Sequence, residues 1–313
     1  MRVAIVGLGG IGCLLATHLV RGGCTVVAVA RGATLDAVRN TGIALELDGA
    51  EIVTPLDVTD TPRSIGPIDL AIVCVKMFDL EAAMATLAPA LGPATAVLPI
   101  QNGVDGPDIV ARAFGPSRTL IGTAYTFAKA VRPGRVRQLG RTPRFFVGEH
   151  RGRASARTEA FRAALNAAGL IAPAVDDARP ELWRKFAFLT AMAGVTAASG
   201  RPVGDVRREA PARELFVAAI EEVQSVAAAR GIPLPADVVS SSLAIIDNAP
   251  PEATSSLAAD LAGARRNEND WLSGAVVRIG RELRVATPIH LAFHALISLA
   301  GQTAGVASRP SKS

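Results

Sequence analysis

In the first half of the chain, hydrophobic and polar positions alternate between two patterns. Residues 3–6 form a short, uninterrupted apolar run closed by Gly7, which is typical of a strand buried within a parallel sheet. The spacing of apolar positions then predicts a helix over 11–21, which stops at a pair of glycines. The pattern continues with predicted strands over 25–30, 70–75 and 96–100 and a predicted helix over 79–91. Strands separated by crossover helices predict an α/β domain with a doubly wound parallel sheet.

Between residues 119 and 175 the pattern changes. Strand-like runs joined by turns are followed by one helical pattern and one short strand: strands over 119–127, 135–139 and 144–147, a helix over 155–168 and a strand over 171–175. The segment 176–180 is polar and ends in a proline of the kind that begins helices, so we place the domain boundary there. The predicted domains are residues 1–177 and residues 178–313.

Beyond this boundary, each periodic segment predicts a helix. The predicted helices cover 181–198, 212–230, 236–246, 257–280 and 287–301, and the tail from residue 307 is polar. This half of the sequence has no strand-like run of comparable strength. The predicted fold class is therefore an α/β N-terminal Rossmann domain followed by an all-α C-terminal domain.

Composition narrows the kind of protein. Hydrophobic residues make up 50% of the 313 residues and charged residues 19%, which indicates a folded globular chain. The 33 Lys and Arg against 28 Asp and Glu give a net charge of +5, but the arginines are scattered and aromatic residues are only 4%. This argues against nucleic acid as a partner and favours a small anionic substrate.

Cysteine and histidine positions bear on the compartment and on metals. Cys13, Cys24 and Cys74 lie in predicted core elements without a pairing pattern, so we expect buried thiols in a reducing compartment. The chain enters a strand within two residues, and no uncharged apolar run approaches the roughly 20 residues of a membrane span. We therefore expect a cytoplasmic protein without a membrane partner. His290 and His294 are four residues apart on a predicted helix but have no third ligand, so no metal is expected.

The turn between the first predicted strand and the first helix carries a G-x-G-x-x-G motif, Gly7-Leu8-Gly9-Gly10-Ile11-Gly12. In a dinucleotide-binding turn the first glycine permits the tight bend, the second lets the backbone approach a pyrophosphate, and the third allows close packing of the helix. The helix N-terminus then offers N–H donors and partial positive charge to the diphosphate. Because the motif directly follows the first strand, we interpret it as a dinucleotide site rather than as a glycine-rich turn alone.

The end of the second predicted strand bears on which dinucleotide is bound. NAD sites place Asp or Glu there, roughly twenty residues beyond the glycines, to hold the ribose 2′-hydroxyl. This chain has Ala30-Arg31-Gly32, and the next acidic residue is Asp36. A guanidinium suits the 2′-phosphate of NADP through its charge and forked geometry. We therefore predict NADP (NADPH) as the cofactor, the plainer alternative for Arg31 being a solvated surface arginine.

Nearly from end to end, the sequence resembles the ketopantoate reductase (2-dehydropantoate 2-reductase) family. The segments that carry the resemblance occur in order: the glycine motif, Ala30-Arg31-Gly32, Val73-Cys74-Val75-Lys76, Gln101-Asn102-Gly103-Val104, Glu181-Leu182-Trp183-Arg184-Lys185, Ser255-Ser256-Leu257-Ala258-Ala259-Asp260 and Arg266-Asn267-Glu268-Asn269-Asp270. The resemblance implies an NADPH-dependent oxidoreductase that reduces a small 2-oxo acid to a 2-hydroxy acid. The family's default reaction converts 2-dehydropantoate to pantoate, in pantothenate biosynthesis.

The resemblance also implies roles for individual residues. Lys185 would be the general acid that polarises the substrate carbonyl, with Glu268 as its carboxylate partner. Lys76 and Asn102 would line the nicotinamide end of the site, Asn102 also contacting substrate, and Ser256 would contact the substrate carboxylate. Residue chemistry agrees with the first role, because hydride addition to a ketone builds negative charge on oxygen that a nearby ammonium stabilises and can protonate.

Each of these residues also has a plainer interpretation. Lys185 could pair with Glu181 at i,i+4 on a helix surface, and Glu268 could lie on a solvated charged face of its predicted helix. Asn102 opens an Asn-Gly dipeptide, which is common in turns. Lys76 could be a solubilising lysine at a strand end.

The sequence departs from the family pattern on the helix that carries Lys185. Where the biosynthetic enzymes present asparagines that hold the substrate, this chain has Leu189 and Ala193, and Val203 replaces a third asparagine. Positions i, i+4 and i+8 share one helix face, so Leu189 and Ala193 are predicted to line the substrate site as an apolar wall beside Lys185. The nearby hydroxyl groups are those of Thr190, Thr196 and Ser199.

Three functional hypotheses follow. The favoured one is NADPH-dependent reduction of a 2-oxo acid, with NADPH on the first domain and substrate against the helical domain. The second changes the substrate to a bulkier or more apolar 2-oxo acid, or to an imine. The third is an NADP(H)-sensing regulator without catalysis, against which the retention of Lys185 and Glu268 argues. Assembly as a homodimer is left open.

Overall fold

The structure, a computed structural model, describes residues 1–307 apart from the side chains of Arg141 and of residues 302–307. It divides the chain into two units, of which one comprises Met1–Gln101 and Asp105–Arg179. The other comprises Asn102–Val104 and the residues from Pro180 onward. This division lies two residues beyond the predicted boundary. The short segment Asn102–Val104, predicted to belong to the first domain, groups with the second unit because it packs against residues of the helical part.

The first unit contains two sheets and their flanking helices. Its strands are β1 (Arg2–Val6), β2 (Thr25–Val29), β3 (Ile43–Leu47), β4 (Ala50–Thr54), β5 (Asp57–Thr59), β6 (Leu70–Val73), β7 (Ala96–Pro99), β8 (Leu120–Arg132) and β9 (Arg135–Glu149). Its helices are α1 (Gly10–Arg21), α2 (Gly32–Thr41), α3 (Leu80–Leu87), α4 (Gly106–Phe114) and α5 (Ala156–Ala167). The sequence pattern did not predict α2, α4 or β3 to β5. Most positions of these elements are partly or fully exposed, so none of them has an uninterrupted apolar run like those of β1 and β6.

The first sheet is parallel and has the strand order β5-β2-β1-β6-β7. Every residue of β6 and β7 is buried, which agrees with the continuous apolar runs in the sequence. The chain builds outward from β1 through β2 and then crosses to the other side of β1 with β6. The strand order therefore reverses beside β1, and ligands of such sheets bind at the carboxyl ends of the strands that flank the reversal. The predicted doubly wound parallel sheet is confirmed.

The second sheet has the strand order β4-β3-β9-β8. The strands predicted separately over 135–139 and 144–147 are one strand, β9, which pairs antiparallel with β8. The predicted break corresponds to residues 140–143 of β9. These residues interrupt the register with β8, between two stretches of regular pairing. Pro143, which has no N–H to give to a ladder, lies in this irregularity. The short strand predicted over 171–175 is reduced to a single bridge.

The second unit is helical, so the predicted all-α C-terminal domain is confirmed. Its helices are α6 (Arg179–Ser199), α7 (Val203–Arg208), α8 (Ala210–Ala229), α9 (Val238–Asn248), α10 (Ser256–Ala262), α11 (Ser273–Leu283) and α12 (Pro288–Ala307). Residues 190–197 of α6 are all buried, so this helix is enclosed on every side along that stretch. None of the helices in the described part of the chain has the length and apolar character that crossing a membrane requires.

The single helix predicted over 257–280 is wrong: this stretch contains two helices, α10 and α11, separated by a connection. Ala264 has a φ of 50°, in the left-handed region, and the Arg265 N–H donates to the Asp260 carbonyl (2.8 Å). This backbone bond is characteristic of the Schellman arrangement that ends helices. Apolar periodicity continues across the connection and concealed the break. Glu268 consequently lies in a turn and not on a helix.

Candidate active site

The turn that follows β1 requires glycine at several positions. Gly7 has a φ of 95°, and a Cβ there would lie 2.7 Å from the Val75 side chain, just beyond β6. A Cβ at Gly12 would collide with the carbonyl oxygen of Gly7, and one at Gly10 with the backbone of Ala128 in β8. The turn is therefore packed tightly among β6, β8 and α1, as a dinucleotide-binding turn is.

Gly9 differs from these glycines. It is exposed, and beyond its own stretch of backbone no atom of the described residues lies within 4 Å of the position that its Cβ would take. Gly9 is also the N-cap of α1 and has no side chain with which to cap the first N–H groups of that helix. Leu8 is buried and Ile11 half-buried, so these two residues pack into the unit. The open space beside Gly9 thus lies at the positive end of a helix, an arrangement that fits a diphosphate.

The carboxyl end of β2 lies beside this turn. The Gly7 N–H donates to the Val29 carbonyl (2.9 Å), which holds the two segments together. Arg31 follows two residues later, is exposed and is the N-cap of α2. The first turn of α2 contains no acidic residue. A guanidinium is therefore available at the strand end where sheets of this kind bind the ribose, and its role in NADP binding stays a prediction.

The carboxyl ends of β6 and β7 are joined by a glutamine. The Val73 carbonyl at the end of β6 accepts from the Ile100 N–H (3.2 Å) and from Nε2 of Gln101 (2.7 Å). Gln101 was not predicted individually as a site residue, although a polar residue directly after a buried strand is a usable signal. Lys76 lies three residues beyond β6, half-buried, at the start of a short 3-10 turn. Both side chains thus belong to the edge of the sheet where the glycine turn lies.

Lys185 is on α6 in the second unit, and its side chain is half-buried. Its Nζ donates to Oδ1 of Asn102 (3.1 Å). Burial lowers the pKa of Lys185 to about 8, while the negative charge of Glu268 acts in the opposite direction. The contact of Nζ with Asn102, a residue distant in the sequence, argues against the alternative in which Lys185 only pairs along the surface of its own helix.

Glu268 is only 4% exposed, which excludes the solvated charged face considered from the sequence. It precedes a short 3-10 turn over Asn269–Trp271, and its carbonyl accepts from the N–H groups of Trp271 and Leu272 (both 3.0 Å). Its carboxylate charge acts on Lys185. The structure thus brings together two oppositely charged side chains that are 83 residues apart in the sequence.

The segment Asn102–Val104 approaches the same turn. Gly103 has a φ of 101°, and a Cβ there would lie 2.9 Å from the carbonyl oxygen of Trp271. Only glycine permits this backbone conformation and this close approach together. Asn102, Lys185 and Glu268 therefore belong to one packed arrangement within the second unit. An ammonium beside an amide oxygen and within reach of a carboxylate is suited to holding and releasing a proton.

The two serines before α10 have different environments. Ser255 is 4% exposed, its Oγ accepts from the Ala258 N–H (3.0 Å), and it hydrogen-bonds Thr196 Oγ1 on α6 (2.8 Å). Ser255 therefore caps α10 and ties it to α6. Ser256, the first residue of α10, is exposed. Its predicted contact with a substrate carboxylate stays a prediction.

The residues that replace the family's asparagines differ in exposure. Leu189 is half-buried, whereas Ala193 and Val203 are each 1% exposed. Lys185, Leu189 and Ala193 lie on one face of α6, as their spacing predicts. Part of Leu189 is accessible to a ligand, whereas Ala193 is almost completely buried. The predicted apolar wall therefore rests mainly on Leu189, and the roles of both residues beside a substrate stay predictions.

The hydroxyl groups on α6 do not replace the missing asparagines as donors. Each donates to a carbonyl of its own helix: Thr190 to Phe186 (2.9 Å), Thr196 to Met192 (2.7 Å) and Ser199 to Val195 (2.6 Å). A hydroxyl has a single hydrogen, so none of the three has another to give to a substrate.

The histidines of α12 have carboxylate partners. His290 is fully buried, and its Nδ1 lies 2.8 Å from Oε2 of Glu222. The same carboxylate accepts the N–H of Ile289 at Oε1 and the N–H of His290 at Oε2. Nε2 of His294 lies 2.9 Å from Oδ1 of Asp270. The described residues include no group of three or more His, Cys, Asp or Glu that could hold a metal ion. These histidines therefore belong to the packing of α12 in this structure.

Comparison with known families matches both halves of the chain. The model described as "Ketopantoate reductase PanE/ApbA" matches residues 3–152. The model described as "Ketopantoate reductase PanE/ApbA C terminal" matches residues 177–300. Together they cover most of the sequence.

Individual proteins agree with the family models. The chain is 29% identical to a 2-dehydropantoate 2-reductase of Mesorhizobium japonicum, over 95% of this chain and 97% of that protein. It is 30% identical to the PanE/ApbA family ketopantoate reductase of Ralstonia eutropha JMP134, with a TM-score of 0.89 and coverage of 97% and 100%. D-mandelate dehydrogenase in complex with NADH and anilino(oxo)acetate shares the fold (TM-score 0.89, 20% identity, coverage of 97% and 100%). The chain therefore belongs to the ketopantoate reductase family, a family of nicotinamide-dependent oxidoreductases that act on CH–OH groups.

Proposed function

We propose that this protein reduces a 2-oxo acid to a 2-hydroxy acid with NADPH, and that Lys185 supplies the proton. The observation that carries the proposal is the environment of Lys185, whose enclosed ammonium donates to Asn102 and feels the charge of Glu268. The relatives named 2-dehydropantoate 2-reductase support the same class of reaction. An NADP(H)-sensing regulator would need neither the lysine nor its carboxylate partner.

The first unit offers groups that fit NADPH, which when bound would supply the hydride. The open side of Gly9, at the N-terminus of α1, would take the diphosphate. Arg31 would take the 2′-phosphate through charge-assisted hydrogen bonds. Lys76 is assigned to the nicotinamide end, and Asn102 of the second unit is assigned to the nicotinamide and the substrate. These assignments follow the family's pattern.

The acid chemistry follows from the pKa of Lys185. An ammonium with a pKa of about 8 is mostly protonated at neutral pH, yet it gives up its proton more readily than an ordinary lysine. As negative charge develops on the substrate oxygen, the ammonium stabilises that charge and then transfers the proton. Asn102 accepts one N–H of the ammonium, which restricts its orientation. The charge of Glu268 favours the protonated form before transfer.

We further propose that the preferred substrate has an apolar side chain. Leu189 lies on the face of α6 that carries Lys185, and the hydroxyls of α6 are engaged within the helix. A polar group on the substrate would lose its hydrogen bonds to water here without gaining new ones. The aromatic ligand named with D-mandelate dehydrogenase suggests phenylglyoxylate as a comparison compound. The second candidate is 2-dehydropantoate, in pantothenate biosynthesis, which the names of the relatives favour.

An NADPH-oxidation assay over 2-oxo acids of graded size and polarity tests the proposal. The panel includes 2-dehydropantoate, phenylglyoxylate and aliphatic 2-oxo acids, and also an imine formed from one of them. We expect turnover of at least one 2-oxo acid, with the highest kcat/KM for an apolar one. Absence of turnover over the whole panel contradicts the proposed function.

For the cofactor, we expect the wild-type protein to prefer NADPH over NADH and Arg31→Asp to reverse this preference. A charge-assisted hydrogen bond contributes about 1.5–3 kcal/mol, so the ratio of NADPH to NADH affinity should fall by a factor of about ten or more. Binding is measured by fluorescence titration with each reduced cofactor. Arg39→Asp, the same charge change at an exposed position of α2, should leave the ratio unchanged. Equal binding of both cofactors by the wild type would show that Arg31 does not select NADP.

For the substrate, we expect Leu189→Asn to raise kcat/KM for 2-dehydropantoate relative to phenylglyoxylate by roughly tenfold. The new amide can hydrogen-bond the substrate hydroxyl, and discrimination is expressed in the ratio of kcat/KM values. Leu189→Met keeps the side chain apolar and should leave the ratio nearly unchanged. The family pattern also suggests Ala193→Asn, but Ala193 is buried and the larger side chain should destabilise α6. The apolar wall is ruled out if the wild type already prefers 2-dehydropantoate over every apolar analogue.

A further inference from the structure

The turn that carries Glu268 is tied to α12 by its next two residues. Asn269 is 4% exposed, and its Nδ2 donates to the carbonyl of His294 (3.0 Å) and to Oγ of Ser298 (3.1 Å). Asp270 adds a contact to the His294 ring (2.9 Å). Two consecutive side chains thus bind one turn to one helix.

The start of α11 packs closely against the same groups. A Cβ at Gly274 would lie 3.0 Å from the His294 ring and 3.3 Å from the Asn269 carbonyl. On the other side of the turn, the Trp271 carbonyl is approached by Gly103. The turn is therefore held between α12 and the segment that carries Asn102.

If Asn269 served only for packing, it would be an unfavourable residue for stability at this position. Its Oδ1 is buried, and among the described residues it has no hydrogen-bond partner. Burying a polar atom without a partner lowers the free energy of unfolding, whereas an apolar residue of similar size would avoid this cost. Buried polar groups that reduce stability are typical of functional sites.

We propose that Asn269 is a positioning residue that holds the Glu268 carboxylate within electrostatic reach of Lys185 by tying the turn to α12. Asn269 acts through its neighbour, since its own donor group is engaged with α12. The role rests on the proposed function of Lys185 as the proton donor. Through Asn269, α12 would help to position the carboxylate that acts on Lys185.

The test compares Asn269→Leu, which keeps the bulk and removes the hydrogen bonds, with Glu268→Gln. The chain has four lysines, Lys76, Lys129, Lys185 and Lys312, so carbon-13 NMR of ε-labelled lysine can follow the titration of Lys185 directly. We expect both variants to move that titration to lower pH, because Glu268 raises the pKa of Lys185. We also expect Asn269→Leu to lower kcat/KM by about tenfold, as displaced catalytic groups do.

Two further variants separate positioning from general destabilisation. Ser298→Ala removes one of the two acceptors of Asn269 and should give an intermediate shift, even if Asn269→Leu folds poorly. Asn166→Ala removes the two hydrogen bonds that the side chain of Asn166, near the end of α5 in the first unit, makes with the Ala172 backbone, and should leave the Lys185 titration unchanged.

The outcomes distinguish this role from the proposed function. A wild-type titration of Lys185 in folded Asn269→Leu, or in Ser298→Ala if that variant alone folds, overturns the positioning role even when 2-oxo acids are reduced. If the Lys185 titration shifts in these variants but the wild-type protein reduces no 2-oxo acid, the positioning role of Asn269 is supported and the proposed function is overturned.

Discussion

Replacing Lys185 with alanine is expected to lower kcat by a factor of about 10² or more while leaving NADPH affinity nearly unchanged. The reason is that a general acid acts in the transition state, where negative charge develops on the substrate oxygen. The groups assigned to the cofactor's phosphates lie in the first unit, whereas Lys185 lies on α6 in the second. Steady-state NADPH oxidation gives kcat, and fluorescence titration gives the cofactor affinity.

Arg184→Ala is the matched control for this variant. Arg184 precedes Lys185 on α6, and its guanidinium pairs with Asp237 at the surface (3.1 Å). An ion pair of this kind contributes at most about 1 kcal/mol to stability, so activity should be nearly unchanged. If Lys185→Ala turned over substrate like Arg184→Ala, Lys185 would be a structural lysine and not the acid.

The second large effect is expected for Glu268→Gln, which keeps the size of the side chain and removes its charge. In the wild type, kcat/KM should fall as the pH rises through about 8, because the reaction needs the protonated form of Lys185. The Glu268 charge raises the pKa of Lys185. Its removal should therefore move this alkaline limb to lower pH and reduce kcat at neutral pH by roughly tenfold.

The measurement is the pH dependence of kcat/KM for the best 2-oxo acid of the panel. Glu221→Gln removes the same charge from an exposed position of α8 and should leave the limb in place. A limb that stays in place or moves to higher pH in Glu268→Gln contradicts the assigned interaction with Lys185. A change in kcat without movement of the limb would show that Glu268 acts on substrate and not on the acid.

The cofactor half of the site was largely predictable because its signals are local. The glycine motif occupies six consecutive residues between a strand and a helix, and the parallel sheet follows from apolar runs separated by crossover patterns. The apolar pattern reports burial well when most positions of an element are buried, as in β1, β6 and α1. The same pattern missed α2, α4 and β3 to β5, in which most positions are partly or fully exposed.

The acid half of the site was only partly predictable. The resemblance singled out Asn102, Lys185 and Glu268, but the sequence could not show which of them touch, because they are separated by 83 residues on either side of Lys185. Only the folded chain shows that Nζ of Lys185 bonds Asn102 and that burial lowers its pKa. The desolvation that produces this shift depends on tertiary packing and has no local signature.

The sequence by itself determined the order of the buried strands and of the main helices, the motif at the first turn, the two fold classes and the residues that resemble a known family. The tertiary structure decided that Glu268 lies in a turn, that Asn102 groups with the helical unit, and that the hydroxyls of α6 are engaged within their helix. The physical reason is that hydrophobic periodicity records which positions face a core. It does not record a left-handed φ at Ala264 or the hydrogen-bond partner of a side chain, both of which are set by packing between distant segments.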